Sequence, residues 1–143
     1  MAKALAEAGP HEIALADTIG CADPWAVDAL FTKLKSALPE ISLRGHFHNT
    51  RNSGFANAYA AYQAGVNALD VSIGGIGGCP FAPNATGNVA GEDLVYMFGR
   101  SEITTGVNLD KVISAAKWLG HLMEKDLPAM VSRAGSFPKN ITT

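Results

Sequence analysis

Four times in succession a short apolar run is followed by a stretch of helical spacing, at a period of roughly 25 to 30 residues, and this rhythm constrains the fold more than any single residue. Glu12 to Thr18 is a mostly apolar run ending in Asp17-Thr18-Ile19-Gly20. Asp23 and Pro24 then supply an N-cap and a first helical residue, and Val27, Leu30, Phe31, Leu34 and Leu38 follow at helical spacing up to Pro39. Ile41 to His48 alternates as a strand does. Ser53 to Ala64 reads as a small-residue helix stopped by Gly65, and Ala68 to Gly74 as a third strand. A glycine-rich loop from Gly74 to Pro83 precedes a helix from Ala90 to Phe98. Ile103 to Thr105 is the candidate for a last strand, and Asn108 caps a helix that turns Leu109, Val112, Ile113, Ala116, Leu119 and Met123 inward. Ala2 to Ala8, closed by Gly9-Pro10, reads as the end of a truncated helix over residues 1–9, and 127–143 as an irregular tail.

Repeated strand-helix units argue for a parallel sheet, because each pair of parallel strands needs a crossover of about a dozen residues or more. Four units are too few to close a barrel, which takes eight. A doubly wound sheet would carry its phosphate fingerprint after the first strand, where none stands. The chain therefore reads as half of a larger architecture. With 143 residues, 48% hydrophobic and 17% charged, it falls within the size of one globular domain. A net charge of -2 excludes a basic field for nucleic acid. Cys21 and Cys79 are too few and too far apart for a disulfide framework. No apolar run reaches bilayer length and no secretory leader is apparent, so no membrane partner and a cytoplasmic location are expected.

The chemistry gathers at Gly45-His46-Phe47-His48-Asn49. Strand alternation sets Ile41, Leu43, Gly45 and Phe47 against Ser42, Arg44, His46 and His48, so both imidazoles share one face. Such a pair can share a divalent cation or grip a polar substrate, although spacing alone equally allows core or surface histidines.

Around this pair the motifs resemble a known family. Asp17-Thr18-Ile19-Gly20, Gly45-His46-Phe47-His48-Asn49-Thr50, the loop Gly74-Gly75-Ile76-Gly77-Gly78-Cys79-Pro80-Phe81-Ala82-Pro83, Gly87-Asn88 and Glu92-Asp93-Leu94-Val95-Tyr96-Met97 are similar to those of the hydroxymethylglutaryl-CoA lyases. The likeness continues to Leu127-Pro128 and Arg133-Ala134-Gly135. The histidines alone would indicate only the wider group of metal-dependent aldolase-like barrels, which includes isopropylmalate and homocitrate synthases. The cysteine-bearing loop narrows the resemblance to the lyase.

The resemblance implies a (β/α)8 TIM barrel of which residues 1–143 supply the fifth to eighth strands, a half barrel with its site at the strands' carboxyl ends. It makes His46, His48 and Asn88 ligands of a magnesium or manganese ion, and gives His46 a part in catalysis. Cys79 would act in proton transfer, and Asp17 would assist catalysis in the same pocket. The implied reaction splits 3-hydroxy-3-methylglutaryl-CoA into acetoacetate and acetyl-CoA, with an acyl-CoA as the substrate. The family's Arg-Asp pair at the end of its first strand and its catalytic Glu on the second are not in this chain, so the fragment is expected to be inactive alone. Met1 falls inside an expected helix, which suggests a truncated reading frame, an expression fragment or a half gene. The alternative is a non-catalytic half-barrel that persists as a homo-oligomer or by pairing with a missing amino-terminal half.

Each residue also has a structural reading. Asp17 can cap the turn that follows it, Asn88 can be a helix N-cap, and Cys79 can be a small buried hydrophobe. Arg44 shares the histidines' face and needs a partner there, and Asp70 stands on the inward face of the next strand. A buried Arg44–Asp70 salt bridge is therefore expected, structural in role, whose loss would unfold or dissociate the protein.

Overall fold

The computed structural model describes residues 1–78 and 87–137, which form two compact units. The first runs from Met1 to Asp70; the second comprises Val71–Gly77 and the chain from Gly87 onward. The proposed proton donor Cys79 lies outside the described residues.

The first unit is a three-stranded parallel sheet, in the order β1 (Glu12–Asp17), β2 (Ser42–Phe47), β3 (Ala68–Asp70). Helix α1 (Ala2–Glu7) precedes β1, α2 (Pro24–Ala37) joins β1 to β2, and α3 (Gly54–Gln63) joins β2 to β3. The alternation read from the sequence holds on β2, where Leu43, Gly45 and Phe47 are buried and Ser42, Arg44 and His46 are half-buried. Ile13, Leu43 and Phe47 form a core with Val27 and Phe31 of α2 and Ala58 and Ala61 of α3. Phe31 meets Phe47 edge to face with centroids 6.4 Å apart, a favoured aromatic geometry. The Asp23 carboxylate caps α2 by accepting from Ala26 N–H, and Pro24 is its first residue, as expected. Leu30, which shares the helical spacing, stays exposed.

The register pairs Arg44 with Ala14 and Ala68, and His46 with Ala16 and Asp70. One sheet face thus carries Glu12, Arg44, His46 and Asp70, and the other carries the apolar core.

The third predicted strand ends early, at the boundary between the units. β3 stops at Asp70, and Ile73–Gly75 make a 3-10 turn with Gly74 at φ 70°. That backbone conformation and a clash of any Cβ with Leu127 both require glycine there. Ser72 instead forms a parallel bridge with Ala90, accepting from Gly91 N–H and donating to Val89 O. The fourth extended segment is therefore the short stretch at Asn88–Ala90, immediately before α4 (Gly91–Arg100). Ile103–Thr105, expected as that strand, is not one. Its first N–H bonds back to Phe98 O, across Glu102 at φ 59°, and so closes α4 in a Schellman-like cap.

Helix α5 (Leu109–Met123) is capped by the Asn108 side chain and buries Ile113 and Ala116, while Met123, expected inward, is exposed. The tail is less irregular than its composition indicates. Leu127, Ala129 and Val131 are buried, α6 (Val131–Ala134) follows, and the Asp93 carboxylate accepts from the N–H groups of Met130 and Val131. Among the described residues no helix is long and apolar enough to cross a membrane.

Phe31 is 1% exposed at the centre of the first unit's core. Phe31→Ala is expected to lower the unfolding free energy by about 3 to 5 kcal/mol, measured as a fall in the urea midpoint.

Candidate active site

The polar face of the sheet is organised by Arg44. Its Nε donates to Glu12 Oε1 of β1 at 2.7 Å, and its Nη1 donates to Asp70 Oδ1 of β3 at 2.7 Å. The expected Arg44–Asp70 pair is present, with Glu12 as a second partner that the sequence reading missed. These bonds, first to Glu12 and then to Asp70, raise the guanidinium further above its ordinary range, so it stays charged. The pair is not buried as expected. The side chains of Arg44 and Asp70 are 37% and 34% exposed, and water screens the interaction.

Asp70 has a second role. Its Oδ2 lies 3.3 Å from His46 Nδ1, while His48 Nδ1 lies 2.6 Å from the carbonyl oxygen of Thr18. A carbonyl oxygen and a carboxylate paired with an arginine both accept hydrogen bonds, so each Nδ1 is placed as the donor. The two Nε2 atoms face each other at 3.4 Å, and in the neutral tautomers with Nδ1–H both are bare lone pairs. Two acceptors at that separation repel unless something positive lies between them. The arrangement has the donor chemistry of a cation site, with each imidazole oriented by an outer partner.

The loops hold this geometry. Gly20, at φ 59°, donates its N–H to Asp17 O; a Cβ there would come within 2.7 Å of Thr50 Oγ1. Arg51 Nη1 donates to the carbonyls of Ile19 and Gly20, tying the loop after β1 to the loop after β2 beside His48, which is 5% exposed. Thr18 and Arg51 show no signal in the sequence, because a backbone acceptor and a loop arginine fit any surface equally well.

The other expected site residues are placed differently. Both oxygens of Asp17 accept backbone N–H groups, of Cys21 and Ala22, which is the turn-capping alternative. The register aligns Asp17 with Phe47, on the face opposite His46. Asn88 belongs to the second unit, and its helix-cap reading fails because Ala90 is the N-cap of α4. Its Nδ2 donates to Ile76 O, and its Oδ1 is buried with no partner. That lone oxygen suits a ligand role, since a buried acceptor without a partner is costly. Glu92 is also fully buried, with Oε2 accepting from Gly74 N–H and Oε1 unpartnered. Among the described residues no group of three or more His, Cys, Asp or Glu side chains is placed to hold a metal.

A family model described as HMGL-like matches residues 1–119. The chain belongs to that family. It is 48% identical to the (R)-citramalyl-CoA lyase of Chloroflexus aurantiacus, over 89% of this chain and 40% of that protein. It is 44% identical to the hydroxymethylglutaryl-CoA lyase YngG of Bacillus subtilis, over 90% of this chain and 43% of that protein. The structure of an HMG-CoA lyase from Acinetobacter baumannii with coenzyme A and 3-methylmalate superposes with a TM-score of 0.90 at 40% identity, over 96% of this chain and 45% of that one.

The HMGL-like chain thus spans less than half the length of these relatives. Its solved neighbours include HMG-CoA lyases and the carboxyl transferase domain of Rhizobium etli pyruvate carboxylase, and its parallel sheet with crossover helices is part of an HMGL-like TIM-barrel fold. A citramalyl-CoA lyase stands among the relatives beside the hydroxymethylglutaryl-CoA lyases, so family membership extends to CoA-ester lyases without selecting one substrate.

Because the Arg44–Asp70 pair is screened, Asp70→Ala is expected to lower the urea midpoint without unfolding the chain. The difference from the parent should narrow as salt is raised, in a denaturation series read by circular dichroism.

Proposed function

We propose that this chain is the carboxyl-terminal half of a metal-dependent CoA-ester lyase barrel, roughly its fifth to eighth strand-helix units. The whole protein would cleave 3-hydroxy-3-methylglutaryl-CoA to acetoacetate and acetyl-CoA. The observation that carries the reading is the pair of Nε2 atoms of His46 and His48, 3.4 Å apart on the polar face of a barrel-type sheet. Asn88 Oδ1, buried without a partner, is the third donor that the family resemblance names. Two imidazoles suit a divalent cation; the resemblance selects magnesium or manganese, and the anionic ligand it also names is not in this chain.

The cleavage requires loss of the proton on the C3 hydroxyl, rupture of the C2–C3 bond and protonation of the thioester enolate that leaves. A divalent ion, when bound, supplies Lewis-acid polarisation of the hydroxyl oxygen. His46 and His48 orient that centre, and their Nδ1 partners keep both rings from turning. Cys79, by resemblance, delivers the proton to the enolate carbon. Asp17, tied up by two backbone N–H groups, acts by shaping the loop beneath His48.

Two other readings have specific support. The 48% identity to a citramalyl-CoA lyase favours (R)-citramalyl-CoA as the substrate, and assay of the complete barrel with both thioesters separates the two. The edge strands β1 and β3 favour a half-barrel that pairs with another half or with itself, which sedimentation of the purified chain resolves.

Titration calorimetry with manganese is expected to show weak binding to the isolated chain, with a dissociation constant well above about 1 µM, and none to His48→Ala. Submicromolar binding lost in that variant would show that the missing anionic ligand is dispensable. The isolated chain should release no measurable acetoacetate, because removal of a single transition-state donor already costs about a hundredfold to a thousandfold. Robust release that disappears in Cys79→Ala would overturn the assignment of essential groups to the missing half.

A further inference from the structure

The two histidines of the candidate site are held by unlike devices. His48 is locked by a backbone carbonyl, which no substitution removes, at 2.6 Å. His46 depends on a side chain, Asp70 Oδ2, at the longer distance of 3.3 Å. Asp70 is itself placed by Arg44, whose Nη1 takes the other carboxylate oxygen, and Arg44 is anchored from the far side by Glu12. The groups form a line across all three strands: Glu12 on β1, Arg44 and His46 on β2, Asp70 on β3. The register puts Asp70 directly beside His46, whereas Arg44 reaches it from one inward-facing position lower.

We propose that Asp70 is a positioning residue for His46: it holds the ring with its proton on Nδ1 and its Nε2 lone pair turned toward His48 Nε2, while the Glu12–Arg44 pair keeps the carboxylate in place. This assignment rests on the reading of the two imidazoles as a cation site, and it deepens that reading by naming what sets the donor atom of one ligand. An imidazole free in water favours the opposite tautomer, with the proton on Nε2, so without Asp70 the ring presents N–H where a lone pair is needed. A purely structural role for Asp70, as the partner of Arg44, would leave the tautomer of His46 unchanged.

The test is nitrogen-15 NMR of the histidine-labelled 143-residue chain at about pH 8.5, above the ordinary imidazole range, with no metal present. Both His46 and His48 should show a protonated Nδ1 and a bare Nε2. In Asp70→Ala the His46 signals should move to the Nε2–H pattern while those of His48 stay. In Asp70→Asn, whose amide oxygen still accepts, His46 should keep its native form. Cobalt titration should then show binding weakened about 10- to 100-fold in Asp70→Ala and largely restored in Asp70→Asn. A native His46 already protonated on Nε2, or an Asp70→Ala spectrum identical to the parent's, overturns the proposal. Should Asp70→Ala not fold, the native spectrum and that of Asp70→Asn decide. The tautomer readout needs no cation, so a chain with the expected spectrum that binds no cobalt supports the Asp70 assignment and refutes the cation reading alone.

Discussion

The guanidinium of Arg44 ties three strands at once, to Glu12 on β1 and to Asp70 on β3 from its own place on β2. A parallel sheet joined only by crossover helices has no hairpin to set its register, so side-chain bonds between neighbouring strands help to define it. A slip of one residue would carry His46 to the apolar face, and would also separate Arg44 from both carboxylates. The interaction is half exposed and its net stabilisation is modest. Its consequence is specificity: it is satisfied in the register that sets Asp70 beside His46.

From that register the candidate site follows. The opposite face packs Leu43 and Phe47 against α2 and α3, which fixes the orientation of β2 about its own axis. His46 then points to the polar face, and His48 is drawn in by the Thr18 carbonyl on a loop that Gly20 allows to turn and Arg51 holds. Both rings expose Nε2 because both Nδ1 atoms are occupied. The second unit follows a different logic: a bridge at Ser72–Ala90, a glycine turn capped by Glu92, and a tail anchored on Asp93. There the polar side chains serve the backbone, and Asn88 Oδ1 and Glu92 Oε1 are left over.

The chain's relatives in the HMGL-like family include lyases of CoA esters. The position of the histidines agrees with a barrel enzyme, whose reactive groups gather at the carboxyl ends of the strands.

By itself the sequence determined the α/β class, the parallel order of the sheet, the helices with strong caps and the shared face of Arg44, His46 and Asp70. These depend on local periodicity and on side chains that bond within a few residues, as Asp23 does to Ala26 and Asn108 to Lys111. Tertiary structure decided the rest. The fourth extended segment is Asn88–Ala90 because three residues hold no period, and Ile103 was lost to it because a helix cap took its N–H. Asp17 caps its turn because two backbone donors, the N–H groups of Cys21 and Ala22, lie close at hand. Glu12 joined Arg44, and Asp70 joined His46, because bonds between strands are set by register, and register is written across the whole sheet rather than in any one segment.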